Sequence, residues 1–187
     1  MMEPINEEEV KTAIRETKNK TPGLDEITKP VLQVIPAPAV RDLATIMDSA
    51  LQIGHFPTPW KIARIVPIRK PMKDPKTPTS YRPISLLSIP GKVFEKILNN
   101  RLRHFIEHHK YLPENQMGFR EGRGAVDQCT WLSHQITAGI SRKEVTTAVL
   151  FDIEKAFDKC FTEGILYKIS KPRHIPCLLY TSDAADD

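Results

Sequence analysis

The sequence has few cysteines and no long apolar run, and each of these absences excludes a class of protein. Cys129, Cys160 and Cys177 form neither a metal-ligand spacing nor an even set, so a zinc finger or a disulfide scaffold is not indicated. No apolar stretch approaches the roughly 20 residues of a membrane-spanning helix, and the acidic N-terminus lacks a signal-peptide core. We therefore expect reduced thiols in an intracellular protein, in the nucleus or cytoplasm, that is not secreted and has no membrane partner.

The composition is that of an ordinary globular chain with a slight excess of basic groups. Hydrophobic residues make up 40% and charged residues 27% of the 187 residues, enough for one core-bearing domain or part of a larger one. The net charge of +4 is compatible with a polyanionic partner but does not identify one. The 16 prolines predict many turns and extended joints.

Apolar periodicity predicts several amphipathic helices and two strands. Apolar side chains recur every three to four residues in four segments, at 6–18, 40–51, 92–106 and 125–141. Asn6 is a candidate N-cap, and Gly54 is a candidate stop for the second helix. Residues 62–68 are expected to form a short strand that leads into a basic, proline-punctuated loop.

The stretch TTAVLFDIEKAF, residues 146–157, predicts a second strand that is short, largely buried and ends on Asp152. A buried carboxylate requires a cation or a hydrogen-bond network. An aspartate at a strand end is commonly a turn or cap residue, however, and periodicity alone indicates core packing for Phe157. The residues by themselves leave both interpretations open.

Two loops carry basic side chains. The loop RKPMKDPKTPTSYRPISLL contains Lys70, Lys73 and Arg82, and a charge run of this kind is usually a solvated loop. The glycine-rich segment LPENQMGFREGRGAVDQ contains Arg120 and Arg123 and is compatible with a surface turn. Guanidinium and ammonium groups also suit phosphate, so both loops are candidate polyanion contacts.

Taken in order, these strings resemble successive blocks of the reverse transcriptases of non-LTR (LINE or jockey-like) retrotransposons. The matching strings are NKTPGLDEI, WKIARIVPIRKPMKDP, SYRPISLL, QMGFREGRGAVD and LFDIEKAFD. The resemblance covers roughly residues 20–171 and implies an α+β, incomplete right-hand polymerase fold with mostly helical fingers and a partial palm sheet. It divides the chain into fingers (1–145), the start of a palm (146–171) and a tail (172–187) that is expected to be unrelated sequence.

The resemblance also implies roles for individual residues. Asp152 would be the catalytic carboxylate that bridges two Mg²⁺ ions, with the backbone carbonyl of Ile153 offered to one of them. Phe157 would lie under the sugar and select deoxynucleotides. Lys70, Lys73 and Arg82 would bind the nucleotide triphosphate. Gly118, Arg120 and Arg123 would contact nucleic acid.

The activity implied is DNA synthesis from deoxynucleotide triphosphates on an RNA template and a DNA primer. The family's second carboxylate pair, thumb and endonuclease have no counterpart in the sequence, since Asp186 and Asp187 lack the Tyr-x-Asp-Asp spacing. We therefore expect a fragment of an RNA-directed DNA polymerase that does not polymerise alone. The alternatives are an inactive remnant with weak nucleic-acid binding, or a translated remnant with no role. The sequence does not indicate an oligomeric state.

Overall fold

The computed structural model describes most of the chain, namely residues 3–18, 21–153, 156 and 159–170. Helices predominate, and one antiparallel two-stranded sheet is present in this part of the chain. The elements are α1 (Glu7–Glu16), α2 (Lys29–Val34), α3 (Ala37–Gln52), α4 (Thr58–Lys61), β1 (Arg64–Arg69), β2 (Tyr81–Leu86), α5 (Ile89–His108), α6 (Ala125–Ser141) and α7 (Thr162–Ser170). This mixture of helices and a small sheet agrees with the α+β class, whereas the right-hand arrangement stays a prediction.

The described residues fall into two compact units. The first comprises the chain up to Phe105 together with α7, and the second comprises residues 106–161. The division into fingers, palm and tail that the resemblance implies is a separate matter and also stays a prediction.

The core of the first unit is built from α1, α3 and α5. Val10, Met47 and Ile97, one from each helix, are completely buried. Phe94 of α5 stacks on Phe56 at a centroid distance of 5.4 Å, and Trp60 of α4 meets Phe94 edge-on at 6.0 Å. Aromatic pairs in these arrangements add to the stabilisation that burial provides. The core therefore fixes the segment that enters β1.

The predicted helix boundaries are confirmed closely. Asn6 caps α1, because its Oδ1 accepts a hydrogen bond from Glu9 N at 3.0 Å. Gly54 follows α3 with a φ of 67°, a conformation that glycine adopts without steric cost. The predicted bounds of α6 match the observed ones. Helix α5 begins three residues earlier than predicted, since Ile89 and Pro90 are buried and proline is tolerated in a first helical turn.

Strands β1 and β2 form a hairpin in which two prolines face each other. Pro67 pairs with Pro83, and Lys70 N donates to Ser80 O at 2.7 Å. Because hydrogen-bonded and non-bonded pairs alternate in an antiparallel ladder, the proline pair occupies a non-bonded position and removes no inter-strand bond. The expected loop over 69–87 is therefore wrong in its second half, where β2 lies. The prolines of this segment indicated irregular backbone, but Pro83 lies opposite Pro67 at a non-bonded position, which is compatible with a strand.

The expected buried strand at 146–152 is also wrong. The described residues 144–153 have no strand assignment, and they are exposed to solvent, with Phe151 at 92% exposure. A strand requires a neighbour for its backbone N–H and C=O groups, and within the described part of this unit no strand runs beside the segment. The apolar alternation indicates the propensity for a strand and not the presence of a partner.

Candidate functional site

The first group of predicted residues lies on the β1–β2 hairpin. Lys70 is at the neck of the connecting loop, where its Nζ donates to Thr79 O at 2.8 Å. Arg82 lies on β2 opposite Ile68 and is exposed. Lys73 is exposed within the loop itself. The structure thus brings all three cations onto one hairpin, with Lys70 held by the backbone and the other two facing solvent.

Internal hydrogen bonds give this hairpin loop a defined shape. The Oδ1 atom of Asp74 accepts from Lys76 N at 2.9 Å, which is an Asx-turn. The hydroxyl of Tyr81 donates to Pro75 O at 3.0 Å, and the hydroxyls of Thr77 and Ser80 lie 3.2 Å apart. These hydrogen bonds involve neither the Lys73 nor the Arg82 side chain, so the loop takes its shape without engaging either cation.

The glycine-rich loop between α5 and α6 holds Arg120 in a network of acceptors. Its Nε and Nη2 atoms donate to the two carboxylate oxygens of Glu107, at 2.9 and 2.6 Å, and its Nη1 donates to Pro113 O at 2.8 Å. The side chain is only 9% exposed. The hydrogen bonds that Arg120 donates to Glu107 raise the pKa of Arg120, so the guanidinium is charged and held in place.

The neighbours of Arg120 in this loop are more open. Arg123 is exposed, and its Nη1 donates to Glu114 O and lies 3.9 Å from Met117 Sδ. A side chain at Gly118 would meet no atom within 4 Å, whereas Gly122 has a φ of 68° that other residues rarely adopt. The backbone conformation therefore favours glycine at Gly122 and does not at Gly118.

The loop ends at a helix cap that the sequence interpretation did not assign. Gly124 is the N-cap of α6, and its N–H donates to Asp127 Oδ2 at 2.7 Å. This is one half of a capping box, in which a carboxylate at the third helical position reaches back. An aspartate three residues after Gly124 was the signal in the sequence that could have indicated this cap.

Removing this carboxylate is expected to loosen the first turn of α6. Asp127→Ala should cost about 1 kcal/mol of helix stability, because the Gly124 N–H loses its acceptor. Hydrogen exchange of the first-turn amides of α6 measures the effect. Asp127→Asn keeps an acceptor oxygen and is expected to lose less. Equal exchange in both variants and the wild type would contradict the cap.

Asp152 and Ile153 lie in the exposed segment of the second unit, and Phe157 lies outside the described residues. In the part of the chain that the structure describes, no group of three or more His, Cys, Asp or Glu side chains could hold a metal ion. One carboxylate and an adjacent carbonyl still suit a hard cation that takes oxygen ligands and completes its shell with substrate phosphate and water. The Asp152 carboxylate and the Ile153 carbonyl therefore fit part of a divalent-cation site.

A clamp in the first unit joins residues 22–27, the PGLDEI part of the first matching string, to the residue that precedes α5. Ser88 Oγ donates to Asp25 Oδ2 at 2.6 Å, and a Cβ at Gly23 would lie 2.6 Å from Ser88 N. The sequence did not indicate Ser88 as a partner of Asp25, since 63 residues separate the two. Lys20 of the NKTPGLDEI string lies outside the described residues.

A cavity of about 440 Å³ lies between the end of α1 and α5. Its lining includes Lys92, whose pKa is lowered by burial, and Glu95, whose pKa is raised by the loss of hydration although the residue still reaches solvent. Glu16 and Lys96 also line it and form an ion pair at 3.2 Å. The lining mixes both signs of charge and does not point to one ligand.

None of the helices described is both long and apolar enough to cross a membrane.

Comparisons with known proteins give a consistent result. The family model for reverse transcriptase (RNA-dependent DNA polymerase) matches residues 68–174. The probable RNA-directed DNA polymerase from transposon BS of Drosophila melanogaster is 37% identical over 171 residues, which are 91% of this chain and 19% of the relative. The RNA-directed DNA polymerase from mobile element jockey of the same species is 36% identical over 165 residues, covering 88% of this chain and 18% of the relative. This chain spans about a fifth of the length of these relatives.

Proposed function

This chain belongs to the reverse transcriptase family, its relatives being polymerases of non-LTR retrotransposons, and on this basis we propose that it supplies the nucleotide-holding hairpin and the first catalytic carboxylate of an RNA-directed DNA polymerase. The substrates proposed are deoxynucleotide triphosphates, an RNA template and a DNA primer. The observation that carries the proposal is the β1–β2 hairpin, whose shape is fixed by its own hydrogen bonds while Lys73 and Arg82 face solvent.

The hairpin suits a triphosphate for electrostatic reasons. Arg82 offers a planar, bidentate donor edge, and Lys73 offers a compact point charge. Strand pairing between Arg82 and Ile68 holds the base of the arginine in place. Lys70 closes the loop through Thr79 O, so its proposed contact with phosphate adds to a structural one. Because the hairpin backbone is already fixed, phosphate binding would cost the rotamer entropy of these side chains but little backbone entropy.

Asp152 and the carbonyl of Ile153 are the proposed protein ligands of two Mg²⁺ ions. When bound, such ions neutralise phosphate charge and activate the attacking hydroxyl of the primer. The carboxylate of Asp152 would contribute the negative charge that holds such a cation, which prefers oxygen ligands. Phe157 is proposed to restrict the space beside the sugar, which would exclude a ribose 2′-hydroxyl.

The glycine-rich loop is the proposed nucleic-acid contact. Arg120 and Arg123 are cations within three residues of each other, and Gly118 is open to solvent with no neighbouring atom near a would-be Cβ. Small residues permit close approach of a nucleic-acid backbone, and arginines bind its phosphates without reading sequence. Binding through this loop should therefore be sensitive to salt and tolerant of sequence.

A second function, nucleic-acid binding without synthesis by the 187-residue chain alone, stays a prediction that the comparisons do not favour, since the relatives are RNA-directed DNA polymerases. The exposed Arg123 would supply its phosphate contact. Primer extension by the purified chain, above a no-enzyme control, would contradict this second function.

A chimera tests the polymerase proposal. Residues 20–171 would replace the matching segment of the jockey polymerase, and primer extension on an RNA template would be measured. Extension is expected, because the segment would then have the remainder of a polymerase around it. A chimera that is soluble and binds RNA but never extends a primer would contradict the proposal.

In that chimera, Arg82→Ala is expected to raise the KM for deoxynucleotide about tenfold or more with a smaller effect on RNA affinity. A charge-assisted hydrogen bond to phosphate contributes about 1.5–3 kcal/mol, and 1.4 kcal/mol corresponds to a factor of ten. Steady-state kinetics at varied nucleotide concentration measure the effect. Arg64→Ala, which removes an exposed arginine from the partner strand, is the matched control. An equal rise in both variants would indicate a general electrostatic effect and not a contact of Arg82.

A further inference from the structure

The two arginines of the glycine-rich loop have different surroundings, and the inference drawn from them rests on the function proposed above. Both edges of the Arg120 guanidinium are occupied, because Nε and Nη2 donate to Glu107 and Nη1 donates to Pro113 O. A phosphate would have to displace a carboxylate from a two-point contact. Arg123 is exposed, and its side-chain contacts within the described residues involve Nη1 alone.

Both arginines bind the same turn. Gln116 N donates to Pro113 O at 3.1 Å, which closes the turn over residues 113–116. Arg120 holds this turn at Pro113 O, and Arg123 reaches it at Glu114 O. Glu107, near the end of α5, therefore holds the Arg120 guanidinium in place. Arg120 in turn holds the turn over residues 113–116, to which Arg123 also donates a hydrogen bond.

We infer that Arg120 is a positioning residue that orders the loop over residues 112–124 through Glu107, and that Arg123 is the loop's phosphate ligand. Arg120 then acts on nucleic-acid affinity only through the arrangement of the loop. Glu107, which sequence reasoning did not single out, becomes necessary for nucleic-acid binding even though its charge repels phosphate.

The sign of the change in RNA affinity when Glu107 is neutralised distinguishes this inference from a direct contact between Arg120 and phosphate. If Arg120 were the phosphate ligand, Glu107→Gln would remove a competing anion and would strengthen RNA binding. If Arg120 orders the loop, Glu107→Gln releases it and weakens RNA binding, although the chain becomes more positive. General electrostatics favours the first outcome, so weakening cannot come from the change in net charge.

The test uses the complete 187-residue chain and a single-stranded RNA oligonucleotide, with fluorescence anisotropy over a series of salt concentrations. Glu107→Gln and Arg120→Gln are expected to weaken binding in the same direction, by severalfold each. Arg123→Gln should lower the slope of log affinity against log salt by about one. Arg120→Lys keeps the charge but cannot make the two-point contact, so it should weaken binding as Arg120→Gln does. Glu144→Gln, which breaks the exposed pair with Arg142, is the matched control and should leave affinity nearly unchanged.

Hydrogen exchange provides a second readout that does not require RNA. Glu107→Gln and Arg120→Gln should each speed exchange of the Gln116 amide and its neighbours, while Glu144→Gln should not. Unchanged exchange in both variants would overturn the inference, as would stronger RNA binding by Glu107→Gln. If the wild-type chain shows no salt-dependent RNA binding, the proposed function fails, and the exchange result still decides whether Arg120 orders the loop.

Discussion

Replacing Asp152 with asparagine in the chimeric polymerase is expected to reduce DNA synthesis on the order of a thousandfold while RNA binding survives. Asparagine keeps the size of the side chain but removes the charge that holds a divalent cation. Cation stabilisation of the transferring phosphate contributes several kcal/mol to the barrier, and each 1.36 kcal/mol is tenfold in rate. Single-turnover primer extension measures the chemical step, and anisotropy measures RNA affinity.

The control for Asp152→Asn is Glu144→Gln, because both residues are exposed carboxylates of the same unit and both changes remove one negative charge. The control should retain normal synthesis. Near-normal synthesis by Asp152→Asn would show that the exposed segment around Asp152 is not the first catalytic motif. A parallel loss of RNA binding would instead indicate misfolding of the segment.

Replacing Gly23 with alanine is expected to destabilise the first unit by roughly 1–3 kcal/mol. The added Cβ would lie 2.6 Å from Ser88 N and 2.7 Å from Leu87 C. Both atoms belong to the backbone, so no side chain can rotate away, and the clamp between Asp25 and Ser88 would have to open. Urea unfolding followed by circular dichroism should show a lower midpoint with an unchanged slope.

Gly118→Ala is the matched control, since an added Cβ there meets no atom within 4 Å and φ is not in the positive range. Its unfolding midpoint should equal or slightly exceed that of the wild type, because alanine restricts the unfolded chain. If Gly23→Ala unfolded at the wild-type urea concentration, the close approach to residues 87–88 would not constrain the native state.

Local rules predicted the helices well because the information for a helix lies within the helix. The repeat of apolar residues gave α6 its observed bounds, and the side-chain oxygen of Asn6 gave the start of α1. Local rules also predicted β1 within two residues of its observed bounds, but they failed for β2 and for the strand expected at 146–152, because the stability of a strand depends on a partner. Strand β2 was missed because Pro83 is permissible only opposite a non-bonded position, and that register is set by β1.

For the candidate site as well, the sequence predicted which residues share a segment but not which distant residues they contact. The sequence placed Lys73 and Arg82 in one segment, and the structure has both on the β1–β2 hairpin, whose connecting loop spans residues 70–80. It could not assign Arg120 to Glu107, since a basic residue in a glycine-rich loop has many possible acceptors and the observed one is on α5. A charged residue can therefore be identified as charged from sequence, but whether it is held by the protein or free for a ligand requires coordinates.

The pairing of Pro67 with Pro83 has a consequence for association between molecules. At a non-bonded pair the backbone nitrogens point outward, to the two edges of the sheet, and proline nitrogens carry no hydrogen there. A further strand could not form an uninterrupted ladder on either edge, which is a known protection against edge-to-edge aggregation. The hairpin exposes Ile65 and Ile68 to solvent, so it combines apolar surface with edges that resist strand addition from neighbouring chains.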